Sequence, residues 1–268
     1  MAEKLKIIPL GGLDEIGKNI TVLEYGKDMI AIDCGVGFPE EDMYGVDLVI
    51  PDFSYLAANQ KKLKGVFITH GHEDHIGAYC DMAKRTECRR TMTIEKMIVN
   101  VPADEYVESA KCKDIVGWFD SALEKWMPEQ IVKAHPGQKI YVRDLTLTIY
   151  SSPDLVLPQK VTITDLNELC NVAMVDYMGK RALFMGDSDT IPNPKIARNY
   201  TDSLRADILQ LAHHGYGDTN AGVVYDYVHP TIVFWPVCDE HYNDGNGSGT
   251  QFIGFNQRFF KEGIVNYI

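Results

Sequence analysis

Six consecutive residues constrain this chain more than any other feature: they read His70-Gly71-His72-Glu73-Asp74-His75. A short apolar run precedes them and ends in polar residues, which is typical of a buried strand that delivers a loop at its carboxyl end. Imidazole nitrogens and carboxylate oxygens are donors that borderline divalent ions such as Zn²⁺ take at about 2.0–2.2 Å. We expect the first two histidines to bind one ion, and Asp74 with His75 to face a second.

The spacing H-x-H-x-D-H is the signature of the metallo-β-lactamase fold, and the chain resembles that family at further points. An aspartate is expected after an early strand, where Asp33 stands, and another at a Gly-Asp strand end, where Asp187 stands. A histidine is expected at the end of a late strand, where His213 and His214 stand. The resemblance implies an α/β fold, a four-layer αββα sandwich of two similar halves with metal-binding loops along one edge.

Length and composition agree with a single hydrolase domain over residues 1–268. With 45% hydrophobic residues the chain can bury a large core. It contains no apolar run of membrane-spanning length, and its first residues do not resemble a signal peptide, so we expect no membrane partner and a cytoplasmic location. The six cysteines are scattered without a C-x-x-C pair, which indicates reduced, mostly buried thiols.

The net charge of −12 argues against a surface that grips nucleic acid as a whole, because phosphate neutralisation usually requires a basic protein. Two bound dications would offset only part of this charge. A nucleic-acid substrate would therefore be held locally, at the metals.

Alternating and continuous apolar runs predict strands and helices along the chain. Strands are predicted over 4–10, 20–25, 29–33, 65–69, 137–142, 145–150, 172–177, 181–185, 208–212, 231–235 and 264–268. Helices are predicted over 78–84, 103–127 and 251–262, and a loop over 242–250. The Phe119 and Trp126 side chains, at helical spacing, are interpreted as core.

Residues 5–78 resemble the ribonuclease J family in particular. The resemblance lies in the opening segment 11–19, in segments 38–43 and 45–53, and in 68–77, which carries the metal motif. It implies metal-dependent cleavage of RNA phosphodiesters, both from an end and internally. That family carries a large inserted RNA-clamping domain between its Gly-Asp and late-histidine motifs. Here Asp187 and His213 are too close in sequence to hold it, so processive degradation is not expected.

From residue 79 onward the chain looks more like the hydrolase domain of competence-type DNA-uptake channel proteins. Segments 171–175, 185–187 and 212–215 carry this likeness. Those relatives are presumed nucleases or phosphodiesterases, so both halves favour phosphate esters, and a chimera of two sequences is an alternative.

One position departs from the family pattern, since a further metal-binding histidine is expected between the motif and Asp187. His135 precedes a predicted hairpin and is interpreted as a turn residue. Asp154 can substitute as an oxygen ligand, and Asn171 less readily, or water can fill the position. Fewer nitrogens at the first metal make Mn²⁺ or Mg²⁺ more plausible than in an all-histidine site, with Zn²⁺ still preferred.

The mechanism expected from these residues uses two divalent ions about 3.5–4 Å apart. His70, His72 and Asp154 hold the first ion. His75, Asp74 and His213 hold the second, and Asp187 bridges them. Asp74 guides an activated water onto phosphorus, and His214 contacts phosphate or protonates the leaving group, although His213 and His214 can exchange roles. Asp33 orients a ligand histidine or caps its strand. Asn171, besides being a weaker candidate ligand, is a candidate to support the metal ligands by contact.

Three function classes remain open. The first is a phosphodiesterase or nuclease acting on RNA or single-stranded DNA. The second is a hydrolase of small lactams, lactones, thioesters or phosphocholine esters, which the acidic surface suits. The third is a non-catalytic, metal-poor member of the fold. A homodimer is compatible with each.

Overall fold

The computed structural model describes residues 4–39, 42–91, 93–102, 106–157, 163–243, 251–261 and 263–268. The chain forms two compact units, one of Met1–Gly12 and Ile16–Lys133 and the other of Leu13–Glu15 and Ala134–Ile268. Each unit is built on one mixed sheet with helices, which confirms the predicted α/β class.

The first unit holds a six-stranded sheet in the order β1-β2-β3-β4-β5-β6. Neighbouring strands are antiparallel from β1 to β3 and parallel from β3 to β6. Because β3 and β4 run parallel, their carboxyl ends meet at one edge of the sheet, where Asp33 and the metal motif follow. The strands are β1 (Leu5–Gly11), β2 (Ile20–Tyr25), β3 (Asp28–Ile32), β4 (Leu63–Phe67), β5 (Lys96–Val99) and β6 (Gln130–Lys133).

The described residues of the first unit form four α-helices: α1 (Ser54–Ala58), α2 (Glu73–Lys84), α3 (Thr86–Thr91) and α4 (Ala110–Lys125). Helix α2 begins inside the metal motif, so the prediction of a helix only from residue 78 was wrong. Two carboxylates in its first turn, from Glu73 and Asp74, favour this early start because the amino end of a helix is electropositive.

Helix α4 is shorter than the predicted helix over 103–127. It begins at residue 110 because the Ser109 hydroxyl accepts a hydrogen bond from the backbone N–H of Cys112 and caps the helix. Residues 103–105 lie outside the described residues. Phe119 and Trp126 are buried, as interpreted, and the Trp126 ring stacks on that of Tyr79 with centroids 5.6 Å apart.

The second unit holds a seven-stranded sheet in the order β13-β12-β11-β10-β9-β8-β7. Strands β7 to β10 are antiparallel, and β10 to β13 are parallel. The carboxyl ends of β10 and β11 therefore meet at one edge, where Asp187 and the histidine pair follow. The strands are β7 (Lys139–Val142), β8 (Leu145–Ser151), β9 (Val172–Tyr177), β10 (Lys180–Phe184), β11 (Ile208–Gln210), β12 (Ile232–Phe234) and β13 (Val265–Tyr267).

The helices of the second unit are short: α5 (Pro153–Val156), α6 (Pro192–Tyr200), α7 (Gly222–Val228), α8 (Asp239–Asn243) and α9 (Phe252–Phe255). The helix predicted over 251–262 was wrong, because α9 ends at Phe255 and a separate 3₁₀ turn follows at Gln257–Phe259. Of the predicted loop over 242–250, the first two residues lie in α8, and 244–250 lie outside the described residues. No helix among the described residues is long and apolar enough to cross a membrane.

Candidate metal centre

The carboxyl end of β4 leads directly into the metal motif of the first unit. His70 and His75 are buried, with 3% and 2% of their surface exposed, and Asp74 is 7% exposed. The rings of His70 and His75 lie 4.1 Å apart between centroids. Buried imidazoles and a buried carboxylate in such proximity require partners that compensate for lost hydration.

Two donor pairs in this motif have the spacing of neighbouring metal ligands. Nε2 of His70 lies 3.2 Å from Nδ1 of His72, and Nε2 of His75 lies 3.3 Å from Oδ2 of Asp74. Two donor atoms that bind the same tetrahedral ion at about 2.0–2.1 Å lie about 3.3 Å apart. The distance in each pair is therefore that of two ligands of one ion.

Asp33 sets the orientation of the His75 ring. Its Oδ2 accepts a hydrogen bond from Nδ1 of His75 at 2.7 Å, and its Oδ1 accepts one from the backbone N–H of Thr69 at 2.7 Å. With its proton on Nδ1, His75 has an unprotonated Nε2, the form of the nitrogen that binds metals. Burial raises the pKa of the Asp33 carboxyl above its ordinary value, and the facing His75 ring and the Thr69 donors oppose that rise.

Asn19 is a site residue that the motif analysis did not assign. Its Nδ2 lies 3.1 Å from Oδ2 of Asp74, 3.1 Å from the Asp74 backbone oxygen and 3.1 Å from Nε2 of His75. The amide therefore holds the Asp74 carboxylate beside the His75 ring. The only sequence signal for Asn19 was its place at the end of segment 11–19, which resembles ribonuclease J.

The backbone of Gly35 packs against the first turn of α2. A Cβ at Gly35 would lie 1.5 Å from the backbone oxygen of Asp74, so only glycine fits there. On either side, the N–H of Cys34 donates to the His75 oxygen at 2.7 Å and that of Val36 to the Glu73 oxygen at 3.1 Å. The segment after β3 thereby fixes the position of the motif.

In the second unit, the Gly186-Asp187 turn follows β10 and is held by Gln210. The Oε1 of Gln210 accepts hydrogen bonds from the N–H groups of Met185 at 3.0 Å and Gly186 at 2.8 Å. The carbonyl of Gly186 accepts one from the N–H of His213 at 3.0 Å. These bonds tie the ends of β10 and β11 together, and Asp187 is 3% exposed between them.

The turn after β11 carries His213, His214 and Gly215 at φ values of 46°, 55° and 85°. Holding non-glycine residues in this region costs on the order of 1–3 kcal/mol each, and such strain is typical of functional sites. The surrounding structure supports the turn, because Trp235 Nε1 donates to the His214 oxygen at 3.0 Å and Asn256 Nδ2 donates to the Gly215 oxygen at 2.7 Å.

This turn gives the two histidines different surroundings. His214 is 4% exposed; its Nδ1 donates to the Pro236 oxygen at 2.7 Å, and its Nε2 lies 3.3 Å from Oδ2 of Asp187. That pair repeats the ligand spacing found in the first unit. His213 is only half-buried and its Nε2 faces Nδ2 of Asn167 at 3.3 Å. The sequence favoured His213 as the ligand, but Nε2 of His214 is the nitrogen that lies at ligand spacing from Asp187.

The strand end where the family's further histidine is expected carries no histidine. Asp154, the substitute considered above, is more than one third exposed and pairs with Nδ1 of His135. His135 lies in the turn before β7, as interpreted. Asn171 is fully buried before β9. The Oγ of Ser151, at the end of β8, is buried and has no hydrogen-bond partner among the described residues. This hydroxyl oxygen is therefore a further candidate metal ligand at this strand end.

Comparison with known families identifies the superfamily of the chain. The family model of the metallo-beta-lactamase superfamily matches residues 13–235, most of the chain. The chain belongs to this superfamily of metal-dependent hydrolases, as the motifs predicted.

Ribonucleases J are similar to part of the chain. The ribonuclease J of Synechocystis sp. is 56% identical over 75 residues, which are 28% of this chain and 12% of that enzyme. The ribonuclease J of Helicobacter pylori is 58% identical over 74 residues, 28% of this chain and 11% of that enzyme. The matched segment thus spans only a small part of the length of these relatives.

Among solved structures, the metallo-beta-lactamase fold protein YhfI from Bacillus subtilis is similar with a TM-score of 0.56. The match covers 98% of this chain and 96% of that protein at 13% sequence identity. At 13% identity, this similarity shows only that the two proteins share a fold.

Proposed function

We propose that this chain is a two-metal phosphodiesterase that cleaves RNA or single-stranded DNA. The observation that carries the proposal is the repeated spacing of 3.2–3.3 Å between donor atoms in His70–His72, Asp74–His75 and Asp187–His214. Asp74 and His75 in the first unit, and Asp187 and His214 in the second, are buried residues of the types that hold a metal ion. We expect Zn²⁺ from the imidazole content, with Mn²⁺ or Mg²⁺ as alternatives.

Each donor has a role in this proposal. His70 and His72 would hold the first ion and Asp74, His75 and His214 the second, with Asp187 as a further carboxylate ligand. Bound divalent ions would supply charge neutralisation at phosphate oxygens and acidify a water molecule.

Side chains at or beside these ligands orient the attacking water and contact the phosphate or the leaving group. Asp74, fixed by Asn19, orients the attacking water through its carboxylate. His213 is half-buried and strained, and its Nδ1 has no hydrogen-bond partner within the described part of the chain. We assign it, rather than His214, to contact a phosphate oxygen or to protonate the leaving group.

Asp154 remains a proposed oxygen donor to the first ion, but its pair with His135 competes with that role. Both ions have two imidazole ligands in this proposal, but only the second also has a carboxylate of its own, from Asp74. The first ion should therefore exchange faster than the second.

A nucleic-acid substrate is supported by the ribonuclease J likeness at more than 50% identity over its segment. Because Asp187 and His213 are too close in sequence to hold the inserted domain expected of ribonuclease J, we propose cleavage of phosphodiesters without processivity. The net charge of −12 favours a short contact between nucleic acid and the metals over an extended nucleic-acid-binding surface, since a broad acidic surface repels phosphate.

The test is cleavage of end-labelled single-stranded RNA and DNA by the purified chain reloaded with Zn²⁺ or Mn²⁺. We expect cleavage that is lost in Asp187→Ala and retained in Asp226→Ala, which changes a carboxylate 66% exposed at its side chain. Turnover of small esters, lactams or thioesters with no cleavage of polynucleotides would instead support the second function class. Inactivity on both, in protein shown to contain two ions, would contradict a catalytic role.

A further inference from the structure

Outside the donor pairs described above, one cysteine and one histidine form a close pair. Sγ of Cys238 lies 3.0 Å from Nδ1 of His241, and both side chains are half-buried. Cys238 immediately precedes α8, and His241 lies within it. A neutral imidazole at this distance can accept the thiol proton and leave a thiolate, the form in which cysteine reacts.

The pair is held in place from both sides. The N–H of Tyr242 donates to the Cys238 oxygen at 2.9 Å, and the Tyr242 ring packs against Trp235 with centroids 5.1 Å apart. The His241 ring contacts the Phe252 ring at a centroid distance of 5.6 Å. The imidazole therefore stays beside the sulfur, which is what a base that assists a nucleophile requires.

Four of the other five thiols have less access to reagents than Cys238 has. Cys34, Cys80, Cys112 and Cys170 are buried, and only Cys88 is exposed to the same degree as Cys238. Burial raises the pKa of the Cys80 thiol to about 12, and it also raises the pKa of Cys34. The thiol of Cys170 donates to the Met185 oxygen at 3.4 Å. Cys238 and Cys88 are thus the two partly exposed cysteines, and Cys238 has the imidazole contact described above.

We propose that Cys238 and His241 form a reactive thiol–imidazole pair and that Cys238 is the residue of this chain that hydrogen peroxide oxidises first. His241 takes the thiol proton at Nδ1. The thiolate sulfur attacks one peroxide oxygen, an S–O bond forms, and the O–O bond breaks. Sulfur loses two electrons to the peroxide, and the departing hydroxide takes the proton from His241 and leaves as water. The product is a sulfenic acid at Cys238.

The site lies close in sequence to the proposed metal centre. Pro236, two residues before Cys238, accepts the hydrogen bond from Nδ1 of His214. The reactivity itself does not depend on bound metal, so its test stands independently of the proposed function.

The test is limited oxidation of the purified full chain with hydrogen peroxide, trapping of sulfenic acid with dimedone, and peptide mass spectrometry. We expect Cys238 to be labelled about tenfold faster than Cys88, because thiolate character controls this reaction. His241→Gln should lower the Cys238 rate to that of Cys88, and His229→Asn, at another surface histidine, should leave it unchanged.

Equal labelling of Cys238 and Cys88 in the wild-type chain would overturn the proposal, as would an unchanged Cys238 rate in His241→Gln. Circular dichroism checks that each variant is folded. If His241→Gln fails to fold, His241→Asn replaces it. The wild-type comparison with Cys88 needs no variant.

Discussion

Nδ1 of His75 donates to Oδ2 of Asp33 at 2.7 Å, across the parallel edge formed by β3 and β4. This bond connects the early aspartate to the metal motif, and it determines which imidazole nitrogen is available to an ion. A carboxylate behind a ligand histidine fixes its tautomer and raises its basicity.

Asp33→Asn should therefore weaken metal binding without unfolding the chain. We expect the zinc dissociation constant to rise about 10–100-fold, the usual effect of removing such a partner. Competition with a chromophoric chelator measures it. Asp52→Asn is a matched control, because that carboxylate is solvent-exposed and bonds only to Ser54 among the described residues. An unchanged dissociation constant in Asp33→Asn would show that the pair is merely structural.

His213 and His214 should differ when each is changed to Gln. His214→Gln should lose one bound ion per chain, because its Nε2 shares the ligand spacing with Asp187. His213→Gln should keep both ions and lower kcat about 10²–10⁴-fold, the range for loss of a general acid or base. Metal analysis of dialysed protein counts the bound ions, and steady-state kinetics give kcat. Together they distinguish the two variants. Loss of one ion in His213→Gln, with both ions kept in His214→Gln, would instead show that His213 is the ligand.

Glu24 should make stability depend on pH. Its side chain is 6% exposed, accepts a hydrogen bond from Tyr55, and forms ion pairs with Lys62 at 3.0 Å and Lys6 at 3.3 Å. The Tyr55 hydroxyl, followed by the two lysines, lowers the pKa of Glu24 to about 2 against the opposing effect of burial.

Because the folded pKa lies below the unfolded value of 4.5, this stabilisation is present above pH 4.5 and disappears as the pH falls toward 2. Glu24→Gln should lower the free energy of unfolding at pH 7 by at most about 3.5 kcal/mol, since one pKa unit corresponds to about 1.4 kcal/mol. Urea unfolding from pH 7 to pH 3 should show the two proteins converging. A difference independent of pH would contradict this account.

Two glycines should respond oppositely to alanine. Gly35→Ala should prevent stable folding, because its Cβ would overlap the Asp74 backbone oxygen. Gly117 lies on the exposed side of α4, and no atom lies within 4 Å of a Cβ there. Gly117→Ala should stabilise the chain by about 0.5–1 kcal/mol. Thermal unfolding compares them; a folded Gly35→Ala protein with unchanged melting temperature would show that the close approach is not needed.

The motifs located the strand ends correctly, since β4, β10 and β11 all end where the metal-binding residues were expected. The short β5 and β6 strands were not predicted, because four residues each give too little alternation to separate a strand from a loop. The start of α2 was missed because the motif was interpreted as a loop throughout.

The site contacts that were not predicted depend on tertiary geometry. Asn19 and Asp74 are 55 residues apart in sequence, so no local pattern pairs them. The difference between His213 and His214 arises from consecutive positive φ angles, which reverse the directions expected for a strand end. Sequence alone had no means to choose between them.

The central claim, that the donor pairs bind two divalent ions, is tested most directly by anomalous diffraction at the zinc absorption edge from crystals of the zinc-loaded chain. We expect two peaks, one about 2.0–2.2 Å from the imidazoles of His70 and His72, the other at the same distance from His75 and His214. Asp187 should bind both ions. Zinc-loaded crystals without a peak at these residues, or with zinc only at surface histidines, would contradict the account.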